Sequence, residues 1–311
     1  MDEKLLKSLA GKKNELDRFR PFNKAVLRNL KERFVTEWTY NSNAIEGNTL
    51  TLSETDLVLN RGITIGNKSM REHFEAVNHK QCVERIERFV QKKEALTIDF
   101  ILELHRIILH GIDDENAGRF RRQNVRILGV VHLPPDARKV PREMEELIAW
   151  YYSNYRKMPV PQLAADLHHR FVWIHPFIDG NGRTARLLMN LVLMKRGYPP
   201  AVILNLDRKR YYRTLRLADA EKLNDFENFV GRAIERSLII YLESLKPAAK
   251  ISMRQAYISL QEAAEYCPYS QEYLSLLARL GKLSSVKFGR NWMTTREAVD
   301  SYMESIRQEQ K

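Results

Sequence analysis

The sequence predicts a mainly helical protein with one short β-hairpin and a small additional module at its C-terminus. Apolar residues recur at steps of three and four along most of the chain, as at Leu163, Leu167 and Phe171, and this is the period of an α-helix. Residues 124–133 differ, because they are rich in β-branched side chains and are followed by two prolines, which predicts the hairpin. With 311 residues, the chain is long enough for about two domains.

The elements follow in order from this period and from its punctuation. Ser53 with Asp56 three residues later predicts one helix start, and Gly197 with the prolines after it predicts a firm helix end. The Pro-Ala-Ala sequence shortly after Leu245 predicts a linker. Before that linker, the apolar period predicts helices over residues 24–46, 70–92, 97–110, 142–156, 162–174, 183–196, 208–219 and 225–244.

Positive charge is concentrated in the part before the linker. The chain carries 51 Lys and Arg against 39 Asp and Glu, a net charge of +12, to which residues 251–311 contribute 8 minus 7, or +1. The remaining +11 therefore lies in residues 1–250. Such a charge favours partners that bear negative charge, namely nucleotide phosphates, nucleic acid or acidic lipid.

Several protein classes are excluded by composition. No stretch reaches 18 apolar residues, so we expect no membrane-spanning helix, and the first twenty residues are too charged for a secretory signal. Cys82 and Cys267 are far apart and form no CxxC pair, which excludes a disulfide framework and a cysteine-based zinc site. The simplest expectation is a protein of the reducing cytoplasm.

A polar segment over residues 174–186, IHPFIDGNGRTAR, joins two apolar helices although core packing does not require one there. Gly180 and Gly182 allow the backbone to approach a ligand closely, so that successive N–H groups at a helix N-terminus can bind an anion. Arg183 and Arg186 are three residues apart, and their guanidinium groups can hold terminal phosphates from one face of the helix.

Two further residues of this segment indicate catalysis. Asp179 is a hard oxygen ligand, suited to a Mg²⁺ ion that bridges phosphates. His175 supplies a titratable base that can take a proton from an incoming hydroxyl group. The segment therefore predicts a nucleotide-dependent transferase.

The twelve residues HPFIDGNGRTAR resemble the signature of Fic-domain proteins, HPFx[D/E]GNGRxxR, with every specified position filled. Similarity continues through residues 118–121, 132–135 and 189–200, and covers roughly residues 25–245. The resemblance implies a Fic-type helical core that transfers AMP from ATP, with Mg²⁺ or Mn²⁺, to a Ser, Thr or Tyr hydroxyl of a target protein or of the chain itself. The implied regions are 1–94 as an N-terminal helical part, 95–246 as the catalytic core, 247–256 as a linker and 257–311 as the C-terminal module.

The resemblance also implies a role for each residue of the segment. His175 would be the general base, and Asp179 would be the Mg²⁺ ligand. Arg183 would contact the β-phosphate and Arg186 the γ-phosphate, while Phe177 would be a buried anchor of the loop. The cradle of the α- and β-phosphates would be formed by Gly180, Asn181 and Gly182.

Two sites outside the segment are assigned by the same resemblance. The hairpin at 124–133 would be the flap that holds an extended target segment as an added strand, because an unpaired strand edge offers backbone hydrogen bonds. The alternative is a cap over the core. Tyr212 would line the adenine pocket, and the alternative is an ordinary core tyrosine on a solvated helix.

Residues 42–47, SNAIEG, resemble the inhibitory motif [S/T]xxxE[G/N] that some Fic proteins carry on an N-terminal helix. Ser42 and Glu46 are four residues apart and share one helix face. The resemblance implies that Glu46 pairs with Arg186 and prevents productive ATP binding. Some family members use the same glutamate to remove AMP, and the sequence does not separate the two roles. The alternative is a solvated glutamate at a helix end that Gly47 stops.

Residues 257–303 resemble an excisionase-type winged helix-turn-helix. The resemblance implies that the helix over about 271–279 enters the major groove and that Lys287 and Arg290 reach phosphates. That helix carries Glu272 and a single basic residue, and the module is nearly neutral, so counterion release would contribute little to DNA affinity. DNA binding and protein docking are therefore equal alternatives for this module.

The sequence thus predicts an autoinhibited protein adenylyltransferase with an appended helix-turn-helix. One contrasting hypothesis is a non-enzymatic, ATP-sensing, DNA-binding regulator, but such a sensor would need no base, and His175 is present. Another is a Fic enzyme that uses a different phosphate-containing donor. The sequence leaves open the target protein and the formation of a homodimer.

Overall fold

The computed structural model describes residues 1–127, 132–246, 258–280, 282–288 and 291–309, which are mainly helical. The chain divides into two compact units, Met1–Leu245 and Lys246–Lys311, each with a buried apolar core of its own. The predicted linker at 247–256 lies outside the described residues.

The described part of the first unit contains ten α-helices and no β-strand. They are α1 (Glu3–Asp17), α2 (Lys24–Ile45), α3 (Leu52–Arg61), α4 (Met70–Gln91), α5 (Ile98–Leu109), α6 (Val140–Asn154), α7 (Val160–Ile174), α8 (Asn181–Lys195), α9 (Arg208–Asp219) and α10 (Leu223–Leu245).

All eight helices predicted from the apolar period are present, with ends within two residues of the prediction. The prediction missed α1, whose buried leucines pack against α10. It also placed the start of α3 wrongly. The N-cap is Thr51, which forms a reciprocal capping box with Glu54, rather than Ser53 with Asp56. The same spacing of a hydroxyl and an acidic residue occurs twice in this stretch, and only the first pair lies at the helix end.

The centre of the first core is formed by α7 and α8. Residues 183–193 of α8 are buried all around the helix, because α4, α5 and α7 pack against it from different sides. The N-terminus of α8, where the polar segment ends, is therefore held inside the protein rather than at its surface.

The predicted hairpin lies partly outside the described residues, which omit 128–131. Its described flanks, 124–127 and 132–133, have no regular secondary structure. None of the described helices is both long enough and apolar enough to cross a membrane.

The second unit contains a small three-stranded antiparallel sheet in the order β1-β3-β2. Two helices precede the β2-β3 pair and one follows it, which is the predicted order of elements, but a DNA-binding role stays a prediction. Arg290, predicted to reach phosphates from the wing, lies outside the described residues. The elements are β1 (Ile258–Ser259), α11 (Leu260–Tyr266), α12 (Gln271–Arg279), β2 (Ser285–Phe288), β3 (Asn291–Thr294) and α13 (Arg296–Glu309).

Candidate active site

The segment between α7 and α8 turns sharply at both of its ends. His175 ends α7 in the left-handed conformation, with φ of 50°, and Gly180 begins α8 with φ of 79°. A Cβ atom at Gly180 would lie 3.3 Å from the ring of His105, so glycine is required there both by the backbone angle and by the close contact. The two turns direct the His175 side chain and the start of α8 toward the same side of the core.

The loop is fastened to itself by Phe177 and Asn181. The Phe177 N–H donates to Asn181 Oδ1 at 3.0 Å, and Asn181 Nδ2 donates back to the Phe177 carbonyl at 2.9 Å. Both side chains are buried. Because the Asn181 amide is used within the loop, its contribution to an anion site is limited to its backbone N–H. Phe177 is the buried anchor that the sequence predicted.

A histidine of α5 packs against the same loop and hydrogen-bonds to it. His105 stacks on Phe177 with ring centroids 3.6 Å apart and accepts the Gly118 N–H at its Nδ1 atom, at 3.0 Å. The proton of the neutral ring is therefore on Nε2, which donates to the Asp179 carbonyl at 2.9 Å. Burial lowers the pKa of His105 to about 4, so this tautomer is kept at neutral pH.

Arg121 holds the loop from the other side. Its guanidinium is buried and donates to the His175 carbonyl at 2.8 Å, to the Gln123 carbonyl at 3.1 Å and to the Pro135 carbonyl. Its backbone N–H donates to the Pro176 carbonyl at 2.9 Å. Sequence analysis had noted Arg121 only as part of the similar GRFR stretch and had given it no role.

His175 presents one ring nitrogen to a cavity. Its Nδ1 lies 3.3 Å from the Val172 carbonyl, which can only accept, so the neutral ring carries its proton there and leaves the Nε2 lone pair available. Burial is the main reason that the pKa of His175 lies below its usual value; Arg121 and His132 lower it further, whereas Val172 and Glu46 oppose the shift. The imidazole is therefore a neutral base at pH 7.

Arg186 is only 2 % exposed and is bonded mainly to α2. Its Nε donates to Ser42 Oγ at 3.0 Å, and its Nη2 donates to the Ser42 carbonyl at 2.7 Å and to Glu46 Oε1 at 2.8 Å. Burial alone would lower the pKa of Arg186, but Glu46 and the neighbouring Tyr211 raise it above its usual value. The structure thus brings together the three residues that the sequence had linked.

Behind Arg186 stands a buried polar pair from α7 and α9. Arg186 Nη1 lies 3.4 Å from the Tyr211 hydroxyl, which in turn lies 2.9 Å from His168 Nε2. Burial lowers the pKa of His168 well below its usual value, so the neutral ring accepts the tyrosine proton. Tyr211 of α9 therefore offers its oxygen to the arginine.

The Glu46 carboxylate also covers the N-terminus of α8. A Cβ atom on Gly182 would collide with Glu46 Oε1. The first N–H of α8 to find a partner within the helix is that of Thr184, which donates to the Gly180 carbonyl at 2.9 Å, so the preceding N–H groups point outward. A negative group is favoured at such a helix end, and here Glu46 itself occupies the position.

Arg183 is buried at the start of α8, where it lies close to α4. Its Nη2 lies 3.4 Å from Asp179 Oδ1, and its Nη1 lies 3.4 Å from Glu75 Oε1 of α4. Its Nε and Nη1 atoms have no hydrogen-bond partner among the described residues. A buried guanidinium with unused donors is suited to bind a further anion.

Asp179 is the acidic side chain of the loop. Burial raises its pKa, but Arg183, the Gly180 N–H and Arg71 outweigh burial and hold the pKa below its usual value. Among the described residues there is no group of three or more His, Cys, Asp or Glu side chains that could hold a metal ion. Asp179 therefore fits Mg²⁺ only as a lone protein carboxylate that shares the ion with phosphates and water, which is a common arrangement for this metal.

A cavity of about 550 Å³ opens between the end of α2, the end of α7, the start of α8 and α9. Its size falls in the range of small-molecule sites, about 300 to 1,000 Å³. Tyr212 is on its wall, and its hydroxyl lies 3.5 Å from Glu46 Oε2. Other described residues that line the cavity include Glu46, Arg126, His132, His175, Gly182, Arg208 and Arg216.

The predicted residues lie around the start of α8, but they face two different environments. His175, Gly182, Tyr212 and Glu46 face the cavity, while Asp179 lies with Arg183 toward α4. The sequence assigned no role to five residues that support the site, which are Arg71, Glu75, His105, Arg121 and His168. The first four are far from the loop in the chain, and His168 of α7 is connected to Arg186 only through Tyr211.

The chain is similar to known proteins over most of its first unit. A model of the Fic/DOC family matches residues 95–193. A curated relative from Drosophila willistoni, named protein adenylyltransferase Fic, is 38 % identical over 243 residues, which are 78 % of this chain and 48 % of that protein. The chain thus spans about half the length of the curated relatives it matches.

Two solved structures agree with this similarity. A Fic-domain-containing signalling protein from Bacteroides thetaiotaomicron is 36 % identical, with a TM-score of 0.71, over 78 % of this chain and 97 % of that one. Fic-1 from C. elegans, residues 134–508, is 32 % identical, with a TM-score of 0.70, over 78 % of this chain and 72 % of that one.

Proposed function

This chain belongs to the Fic/DOC family, and from that premise we propose that it is a protein adenylyltransferase, which transfers AMP from ATP to a Ser, Thr or Tyr hydroxyl of a protein. The observation that carries the proposal is the arrangement around the cavity. His175 presents a free Nε2 lone pair there, and the same cavity is lined by Gly182 at the N-terminus of α8 and by Glu46, which is bonded to Arg186.

The transfer step requires a base and a leaving group. In our proposal, His175 Nε2 takes the proton of the target hydroxyl while the hydroxyl oxygen forms a bond to the α-phosphorus of ATP. The bond from that phosphorus to its bridging oxygen breaks, and pyrophosphate leaves. The lowered pKa of His175 supports this role, because a base must be unprotonated at the working pH.

The phosphates would be bound by the start of α8. The outward N–H groups of Gly182 and its neighbours would donate hydrogen bonds to the α- and β-phosphates, Arg183 would contact the β-phosphate and Arg186 the γ-phosphate. Asp179 would hold Mg²⁺ or Mn²⁺, which when bound offsets phosphate charge. Tyr212 would lie against the adenine, because it is on the cavity wall with its ring exposed to that space.

The same residues support a built-in brake. Glu46 lies on Arg186 and over Gly182, where the γ-phosphate and the backbone cradle would otherwise meet. A hydrogen bond between charged partners contributes about 1.5 to 3 kcal/mol, which corresponds to roughly 10- to 150-fold in occupancy. The basal activity of the native chain would accordingly be low but measurable.

Partners follow from the surroundings of the cavity. We infer that the target protein docks along residues 124–133, because Arg126 and His132 of this stretch line the cavity beside His175. The chain itself would be one acceptor. The C-terminal unit would serve either to bind DNA or to dock a protein.

The proposal is tested with ATP labelled on the α-phosphate. Wild type, Glu46→Gly and the double variant Glu46→Gly/His175→Ala are each incubated with Mg²⁺ and a cell lysate, and label on protein is measured. We expect weak labelling by wild type, strong labelling by Glu46→Gly and none by the double variant. Glu46→Gly/His110→Ala is the matched control, because His110 is an exposed histidine at the end of α5 and should not change the signal.

The outcomes separate the hypotheses. If ATP binds but no variant transfers α-label, the adenylyltransferase proposal is wrong. Transfer of γ-label alone would indicate a different donor chemistry, and binding without any transfer would favour the regulator. To test AMP removal, a target labelled by Glu46→Gly is mixed with wild type; release of AMP would assign this second role to Glu46.

A further inference from the structure

Arg71 of α4 pairs with Asp179 across 108 residues of sequence. This inference rests on the proposed function, because it concerns the carboxylate that would hold the divalent ion. We propose that Arg71 competes with the divalent cation for Asp179 and thereby sets how strongly nucleotide binding depends on metal. Neither the loop sequence nor the proposed role of Glu46 includes this residue.

Both oxygens of the Asp179 carboxylate already have partners, and Oδ2 is the one for which Arg71 and a cation would compete. Asp179 Oδ1 accepts the Gly180 N–H at 2.6 Å and lies 3.4 Å from Arg183 Nη2. Asp179 Oδ2 accepts a hydrogen bond from Arg71 Nη2 at 2.8 Å. A Mg²⁺ ion would bind an Asp179 oxygen at about 2.0 to 2.1 Å, and the positive guanidinium group on Oδ2 uses one of its lone pairs and repels a cation there. Arg71 therefore competes with the metal for the Asp179 carboxylate.

Arg71 can leave Asp179 at little cost. Its side chain is 56 % exposed and stands in the first turn of α4. Its Nε already lies 3.3 Å from Glu75 Oε1, one turn further along the same helix. The arginine thus keeps a carboxylate partner after it leaves Asp179. Pairs this exposed contribute about 0 to 1 kcal/mol, so the competition should be modest and reversible.

The N-terminal region neutralises both charged groups that the nucleotide would use. Glu46, directly after α2, pairs with the positive Arg186, and Arg71 of α4 pairs with the negative Asp179. Asn48, two residues after Glu46, donates to Glu75 Oε2 at 2.8 Å and so connects the two contacts. A single displacement of this region would therefore free the γ-phosphate contact and the metal ligand together.

The test measures ADP binding by calorimetry in Glu46→Gly protein, once with EDTA and once with excess Mn²⁺. The dissociation constant in EDTA divided by that in Mn²⁺ reports how much the metal strengthens binding, and it requires no catalytic turnover. Arg71→Ala should raise this ratio by about twofold to fivefold, as expected for the loss of an exposed pair. Arg71→Glu should raise it further, because the new carboxylate adds negative charge beside the ion.

Arg88→Ala is the matched control, since Arg88 is an exposed arginine on the same helix, about 25 Å further along it by helix rise. A ratio for Arg71→Ala equal to that of the control would overturn the proposal. A lower ratio would also overturn it, since it would mean that Arg71 favours metal-dependent binding rather than opposing it. If ADP bound to none of the variants, this inference and the nucleotide site would both fall. If the ratio rose but no α-label were transferred, only the adenylyltransferase proposal would fall.

Discussion

Two regions differ in how firmly their side chains are held: the loop of residues 175–186 and the N-terminal residues 42–71, called the covering segment, which reach over it. In the loop, Phe177 and Asn181 are buried and bonded to each other, and Arg121 fixes the backbone from outside. In the covering segment, Glu46 is 32 % exposed and Arg71 is 56 % exposed. Glu46 and Arg71 each contact the site only through the charged group at the end of the side chain.

This difference indicates a division of labour. Removal of a loop support leaves buried polar groups without partners, which costs stability. Removal of the exposed Arg71 should change stability little, whereas removal of Glu46 leaves the buried Arg186 with its contacts to Ser42 and Tyr211 alone. The catalytic groups are thus kept in place whether or not the covering segment is engaged.

The strongest test of the comparison is Arg121→Ala. It leaves the His175, Gln123 and Pro135 carbonyls without their donor, and we expect the free energy of unfolding to fall by about 3 kcal/mol or more. Urea unfolding measures this. Arg122→Ala is the control, because its side chain is exposed next door, and it should stay within about 0.5 kcal/mol of wild type. Equal effects of the two substitutions would contradict the assigned support.

Asn181→Ala tests the loop from within. It removes the partners of both the N–H and the carbonyl of Phe177, and we expect the free energy of unfolding to fall by about 2 kcal/mol. Transfer of AMP by the Glu46→Gly protein should fall as well, because the start of α8 is then no longer fixed relative to the loop. Asn60→Ala, at an exposed asparagine of α3, is the control for urea unfolding. A fully stable Asn181→Ala protein would show that the two hydrogen bonds do not order the loop.

Ser42→Ala tests the covering segment. Arg186 loses the bond to the hydroxyl but keeps those to the Ser42 carbonyl and to Glu46. We expect α-label transfer to rise about twofold to tenfold above wild type, as for one hydrogen bond of about 0.5 to 1.5 kcal/mol, and to stay below that of Glu46→Gly. Ser53→Ala, on the exposed side of α3, should leave transfer unchanged. No rise for Ser42→Ala would separate the serine from the brake.

The smallest expected effect is on the pH dependence of transfer by Glu46→Gly protein. Because burial holds the pKa of His175 below that of an ordinary histidine, the base stays mostly neutral between pH 8 and about 6.5, and the rate should change there by less than about twofold. The rate should fall only as the pH drops below 6.5 and the ring becomes protonated. Since Glu46 opposes the shift, its removal should lower the pKa further. A half-maximal rate at or above pH 6.5 would contradict the assignment.

Much of this arrangement could be predicted from local sequence. The step of three and four residues predicted eight helices, since each buries one face or more in the core. The spacing of His175, Asp179, Arg183 and Arg186 placed them at one helix start. The resemblance to the inhibitory motif assigned Ser42 and Glu46, and their four-residue spacing placed them on one helix face. In each case, the residues that determine the feature are neighbours in sequence.

The remaining contacts were decided by tertiary packing. Arg71 meets Asp179 over 108 residues, a pair that the sequence did not indicate. Glu46 meets Arg186 over 140 residues, and only the resemblance to the inhibitory motif had implied this pair. The chain holds 51 basic and 39 acidic residues, and no local spacing tells which of them become partners. The choice depends on how α2 and α4 pack against the buried helix α8, because burial removes water and leaves each charge only the partners that packing brings within reach. The sequence by itself determined the groups available for chemistry, and the tertiary structure decided which of them are supported and which are covered.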